Sequence, residues 1–458
     1  MRSNALVYQQ EIEALGRSLG LDYFPVQFEQ VPAEFMLEIA SYGLPVRMPH
    51  WSFGVRYIHQ LIQHRMGHSH IFEVVVPGDP GHAYLMDSNR DTENALVTAH
   101  VLGHADFSKN NLLFRRVQDQ AGYHIVEQAA RHAQQITDAM ERHGQQRVER
   151  LLDAAFALEQ HVDIHQDLHR TRYPGVRPVE APPNAEDPFT ARYRSLADDA
   201  PTEAGGSAPA RAPVPPHPEQ DLLWFIAHYA PELEGWERDI FLAVREESFY
   251  FQPIFACQIM NEGWASYWHA RLLREADFLP QEMYVDAIKT HSDVVRPYGG
   301  EEQIALQVNP YHLGFRLWEK IIEAQGMAAA RQIMSLEDDF SFIRNHLDDA
   351  LARELNLFQF RTRRRQREVA VGDYDLDAIK EALLAPKYHF GAPRISVTEL
   401  GSGGELRLHH DHRVDGRGLD PESARKVLGY IHSVWRRPVR LQTVNSHGKP
   451  VELTPAEA

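Results

Sequence analysis

The chain of 458 residues contains a single cysteine, Cys257. No disulfide framework can form within it, so the expectation is a cytoplasmic protein kept in a reducing compartment. Cys257 lies in an apolar run, where a buried, inert thiol is expected in place of a nucleophile. No stretch approaches the ~18 uncharged apolar residues that a membrane-crossing helix needs, so no integral membrane segment is expected. The opening Met1-Arg-Ser-Asn-Ala-Leu-Val-Tyr8, with Glu11 and Glu13 behind it, lacks the apolar core of a secretory leader. Positive charge is also short: 47 Lys and Arg face 64 Asp and Glu, a net charge of −17. That balance excludes a non-specific hold on nucleic acid or on an anionic membrane surface. The run Arg361-Thr-Arg-Arg-Arg-Gln-Arg367 is a local exception, read as a solvated helix end or the charge partner of an acidic neighbour. A phosphate-cradling glycine loop is missing too, because Gly401-Ser-Gly-Gly404 joins two strand-like runs and opens no helix.

What is present is globular, with 43% hydrophobic and 24% charged residues. Helical apolar spacing dominates residues 5–19, 32–40, 51–65, 91–104 and 121–160, and again 221–354. Between them, Ile71–Val76 and Ala83–Met86 flank Pro77-Gly-Asp-Pro-Gly81 and read as a β-hairpin. Residues 174–218 are rich in Pro and Ala and cannot bury enough apolar area to offset ordering, so they read as a flexible insertion. From about residue 356 the pattern turns to alternating strands with one capped helix at Asp420-Pro-Glu-Ser-Ala, a β-β-α-β order. The expected fold is therefore mainly α: residues 1–173 and 219–355 form one helical body, and 356–458 form a small α+β C-terminal domain. That domain is expected to be structural or partner-binding.

Two short stretches carry chemistry. His100-Val-Leu-Gly-His104 places two imidazoles at i and i+4 on one helical face, a spacing suited to one metal ion. Far downstream, Glu262 sits among Ile259, Met260, Trp264, Tyr267 and Trp268. A carboxylate on so apolar a helix needs a partner, because burying it unpaired costs several kcal/mol. In one reading Glu262 joins His100 and His104 around a divalent metal, zinc first. In the other it pairs with Arg245 or Arg271, and both histidines are polar core residues. Two imidazoles and one carboxylate leave coordination positions open, for hydrolysis with zinc or for dioxygen with ferrous iron. In a His-Glu-x-x-His helix the second residue is the general base. Here that position is Val101, so a base must come from elsewhere; Glu246, Glu247, His269 and Glu73 are the candidates. His269 follows Glu262 by two turns and is a fourth ligand, a proton carrier or a surface residue. Asp106, Asn110 and Asn111 are candidates to orient the histidines, or the two Asn to cap the helix end. His161, His165 and His169 recur on one face in polar surroundings and read as solvated.

Thr98-Ala-His-Val-Leu-Gly-His-Ala-Asp-Phe-Ser-Lys-Asn-Asn111 and Met260-Asn-Glu-Gly-Trp-Ala-Ser-Tyr-Trp-His269 together resemble the SpoVR family (stage V sporulation protein R). Arg245-Glu-Glu-Ser-Phe-Tyr-Phe251 and Asn309-Pro-Tyr-His-Leu-Gly314 extend the resemblance over nearly the whole chain outside the Pro-rich insertion. The resemblance implies a link to assembly of the spore cortex in spore formers. In other bacteria it implies a stress-response setting beside a PrkA-type serine kinase and a companion protein. It supplies no reaction. The Glu-Gly-Trp-x-x-Tyr core is also similar to the third-ligand helix of some zinc peptidases, which implies a zincin-like helical core with Glu262 as ligand. The resulting expectation is a metal-dependent hydrolase of amide or peptide-type bonds, or else a regulatory partner of the kinase with a vestigial site.

Overall fold

Periodic apolar spacing becomes helix through most of the chain. The computed structural model describes residues 6–65, 73–166, 214–295, 308–357, 360–363, 368–371, 374–401, 403–416, 418–445 and 448–456. His68, His70, His169, residues 174–213 of the expected insertion and 364–367 of the arginine run lie outside the described residues. The chain divides into two units, Met1–Ile164 with Asp239–Ala392, and His165–Arg238 with Pro393–Ala458.

The first unit opens with α1 (Gln9–Ser18), β1 (Val26–Val31), α2 (Ala33–Tyr42), α3 (Trp51–Arg65), β2 (Glu73–Val76) and β3 (Gly81–Met86). Then come α4 (Asp91–Asn110), α5 (Leu112–Ala121), α6 (Ile125–His143) and α7 (Gln145–Ala157). Past α8 (Leu222–Tyr229), which belongs to the other unit, follow α9 (Gly235–Ala256), α10 (Gln258–Glu275), α11 (Gln281–Val295) and α12 (Pro310–Leu336). The unit closes with α13 (Asp339–His346), α14 (Asp349–Glu354), the hairpin β4 (Phe360–Arg363) and β5 (Glu368–Val371), and α15 (Leu376–Leu384).

Strands β2 and β3 form the expected antiparallel hairpin, and β1, unforeseen, adds to β3 in parallel, giving the order β1-β3-β2. Period-two alternation sorts the two faces of this sheet. Val75, opposite Ala83, packs with Leu85 against Val97 and Val101 of α4. Val74, Val76, Tyr84 and Met86 pack against Met36 and Ile39 of α2. Glu73, two residues before Val75 and opposite Leu85, therefore shares the face that meets α4.

Helix α4 is buried almost all round, with 15 of its 20 residues inside. One side meets the sheet, and another meets α10 in the main core of Trp264, Trp268, Trp318, Leu313 and Phe342. Two glycine crossings let the helices approach. A Cβ on Gly103 would lie 2.6 Å from the Cα of Ala265, and one on Gly263 would lie 2.2 Å from the carbonyl carbon of Gly314. Backbone thus rides on backbone where α10 crosses α4 and α12. Buried carboxylates fix the ends. Asp339 accepts the N–H groups of Ile259 and Met260, both at 2.9 Å, at the start of α10, and pairs with Lys387 at 2.7 Å. Asp106 accepts from the indole Nε1 of Trp264 at 2.8 Å, from the N–H of Asp22 at 2.8 Å and from Arg331 at 3.3 Å.

In the second unit, β6 (Ile395–Leu400), β7 (Leu406–His410), β8 (Val439–Val444) and β9 (Pro450–Leu453) form a four-stranded sheet in sequence order. The short α16 (His412–Asp415) and α17 (Pro421–Trp435) complete the expected β-β-α-β pattern, and β9 extends it. Asp420 caps α17 through the N–H of Ser423, with Pro421 at its first position, as the sequence indicates. This unit begins at Pro393, not at 356, because α15 buries Ile379 and Leu384 in the helical core. Residues 219–238 also group here, and not with the helical halves. Glu219 exchanges backbone hydrogen bonds with Val397, and Phe225 stacks on Trp435. Arg361 and its neighbours 360–363 form a strand and not a helix end. Among the described residues no helix is long and apolar enough to cross a membrane.

Candidate metal centre

The 3.6-residue period turns His100 and His104 to the same side of α4, and the Gly103–Ala265 crossing brings α10 against that side. Glu262 sits one turn into α10 and meets both imidazoles. Its Oε2 lies 3.5 Å from His100 Nε2 and 3.4 Å from His104 Nε2. One ligand atom from each of the three residues lies within 4.8 Å of the others, the one such cluster among the described residues. Both histidines are buried, at 3% and 8% exposure. Yet Glu262 Oε2 is itself buried and takes no hydrogen bond from any described group.

Each imidazole is held from behind. His104 Nδ1 lies 2.9 Å from Asn261 Oδ1. A carbonyl oxygen only accepts, so Nδ1 carries a proton and Nε2 is the ring atom turned to Glu262. His100 Nδ1 lies 2.9 Å from Nδ1 of His269, whose Nε2 lies 2.5 Å from Nδ1 of His291 on α11. The ring of Tyr311, in the first turn of α12, stacks on His100 with centroids 6.1 Å apart.

The charges follow from this packing. Burial alone would raise the pKa of Glu262, but the facing imidazoles, His104 foremost, hold its carboxyl far below the usual range. Burial opposes charge on His104, yet Glu262 outweighs it and raises its pKa. His100 is lowered by burial and then by His104. His269 is pushed well down by burial and then by His100. His291 is lowered to about 4 for the same two reasons. Burial pushes the Glu73 carboxyl up to about 7; His104 opposes that rise and Glu262 adds to it. His104 and Glu262 thus both act on Glu73 electrostatically, and β2 carries it on the sheet face that meets α4.

The other candidates lie differently. Glu247 accepts from Arg47 Nε at 2.9 Å and faces His132 Nδ1 at 3.1 Å; Glu246 faces His132 Nε2 at 3.2 Å. Arg47 lies over the rings of Phe53 and Phe251, so Glu247 is buried in a separate ion cluster with Glu246 at its exposed edge, and neither joins the histidine site. Both ring nitrogens of His269 are engaged, so it stands behind His100 and is no fourth ligand. Arg271 pairs with Glu275 and Arg245 stacks on Phe249, which leaves the imidazoles as the charged partners of Glu262. Asp106 and Asn110 bind Trp264, Arg331 and Asp22, while Asn111 caps α5; none of the three orients a histidine. The residues that do are Asn261 and His269. Asn261 could have been found as the neighbour of Glu262. His291 has no local signal.

The fold and this cluster define a mainly helical protein whose HxxxH helix packs between a small sheet and a glutamate-bearing helix. The family model described as SpoVR like protein matches residues 3–391, and that of the SpoVR-like C-terminal domain matches residues 393–446. The chain belongs to the SpoVR family. It is similar to an uncharacterized protein of Escherichia coli (strain K12), YcgB, with 28% identity over 480 residues, covering 98% of this chain and 93% of the relative. No solved structure matches.

Proposed function

We propose that His100 Nε2, His104 Nε2 and Glu262 hold a divalent metal, zinc by the chemistry of the donors, and that the protein hydrolyses an amide or peptide-type bond. One observation carries the reading. With bonds of about 2.1 Å, neighbouring ligands of a tetrahedral ion stand about 3.4 Å apart. The two imidazoles stand 3.5 and 3.4 Å from the same buried oxygen, which has no hydrogen bond of its own. When bound, the ion would supply Lewis acidity and lower the pKa of water. Glu73 would accept a proton at its carboxylate, the role for which Val101 has no atom. Asn261 and His269 keep both Nε2 lone pairs turned towards Glu262. A helix bearing HxxxH against the sheet, with the acid on a second helix, is what a zincin-like core would require.

The test is metal analysis of untagged protein. One equivalent of zinc is expected in the wild type, with loss in His104→Ala and in Glu262→Gln. Wild type without stoichiometric metal, or metal unchanged in both variants, removes the proposal. Release of amines from cell-wall peptides or casein fragments by the wild type alone would supply the substrate class. Val101 favours a second reading, in which the site is vestigial and the cytoplasmic protein regulates a PrkA-type serine kinase and its companion in stress response or envelope assembly. Binding to those partners undisturbed by Glu262→Gln would favour it.

A further inference from the structure

We infer that His269 and His291 are positioning residues, a two-imidazole chain that sets the orientation and tautomer of His100. The inference rests on the metal reading above. If His100 Nε2 offers its lone pair towards Glu262, Nδ1 must carry the proton. That Nδ1–H then donates to His269 Nδ1 over 2.9 Å, which requires His269 Nδ1 to be bare. A neutral imidazole bare at Nδ1 is protonated at Nε2, and this N–H donates to His291 Nδ1 over 2.5 Å. One proton placement is thereby fixed across α4, α10 and α11. The side chain of Phe315 packs edge-on against the His291 ring, with centroids 5.1 Å apart, and limits its rotation. A metal-binding histidine commonly leans on a carboxylate or a backbone carbonyl. Here the partners are a neutral imidazole for His100 and a neutral amide, Asn261, for His104. Neither ligand gains anionic character from behind, so a bound ion would keep more of its positive charge for the substrate.

The test uses Co2+ as probe, read by its visible absorption, with His269→Phe, His269→Gln and His291→Phe. Phenylalanine keeps the bulk and removes the acceptor; the amide oxygen of glutamine restores an acceptor for His100 Nδ1–H. His269→Phe should weaken Co2+ binding by about 10- to 100-fold and shift the band. His269→Gln should recover most of the affinity, and His291→Phe should weaken it a few-fold. Ion-free melting curves separate these effects from folding. Should His269→Phe not fold, the glutamine and His291→Phe variants carry the test. Affinity and band unchanged in His269→Phe, or, where that variant does not fold, in His291→Phe, overturn the inference alone. Wild type that binds no Co2+, or binds it equally in His104→Ala, removes the metal reading and this inference with it.

Discussion

Replacing Gly103 by alanine probes the contact that assembles the site. Its new Cβ would fall 2.6 Å from the Cα and 3.3 Å from the Cβ of Ala265. Carbon atoms in contact settle at about 3.5–4.0 Å, so α4 and α10 must part by about 1 Å. The 3.4 and 3.5 Å edges between the imidazoles and Glu262 span that same gap. Metal–ligand distances tolerate errors of about 0.2 Å, so an opening five times larger should abolish stoichiometric metal. Stability should fall less. Overpacking costs about 1–3 kcal/mol, and the helix propensity of alanine returns up to about 1 kcal/mol. The assay is metal content by mass spectrometry beside a calorimetric melt. Gly54→Ala serves as control, because nothing lies within 4 Å of its added Cβ. Gly103→Ala that melts like the control and keeps one equivalent of metal would refute the idea that this crossing builds the centre. If the wild type itself carries no metal, the melt alone still tests the crossing.

Other parts of the helical unit give sharp expectations. Asp339→Ala removes the acceptor for two N–H groups of α10 and leaves Lys387 without its anion. A loss of about 3–5 kcal/mol in urea unfolding is expected, against a smaller one for Asp339→Asn; a loss below ~1 kcal/mol would show the cap to be dispensable. Burial opposes charge on His132, but Glu246 and Glu247 outweigh it and raise its pKa to about 9. Relative to an unfolded value near 6.5, its contribution is complete below that pH and disappears as pH rises through about 9. Arg47 and Glu159 also face this cluster. Wild type should therefore lose on the order of 2 kcal/mol between pH 6 and 10 that His132→Leu does not lose; parallel pH profiles would disprove this.

The sequence exposed what depends on local spacing. His100 and His104 announce a shared helical face, and Glu262 announces itself as an acid in apolar company. Helix α3 carries an unbroken pattern and falls on its expected bounds, residues 51–65. What was hidden depends on contacts between distant segments. Strand β1 alternates at Val26 and Phe28, but it pairs with β3 some 55 residues later. Without β1 the sheet order was unknown, so the side of β2 that meets α4, and with it the direction of Glu73, could not be read. His291 touches His269 only because α11 packs against α10. Likewise α15 looks like part of a new domain until Ile379 and Leu384 are seen in the core.

Val101 shows why the acid cannot simply be restored on α4. Its side chain is fully buried among Ala83, Leu85 and Val97 on the sheet-facing side of the helix. A carboxylate there would enter an apolar layer with no described cation, on the side of the sheet that already holds Glu73. Burying it costs several kcal/mol, so Val101→Glu should melt well below wild type and gain no hydrolytic activity. A variant as stable as wild type and more active would mean that α4 can present a base after all, and that Glu73 is not needed for the role. In this packing the valine lets the helix seat against the sheet, and β2 carries Glu73 on the sheet face that meets that helix.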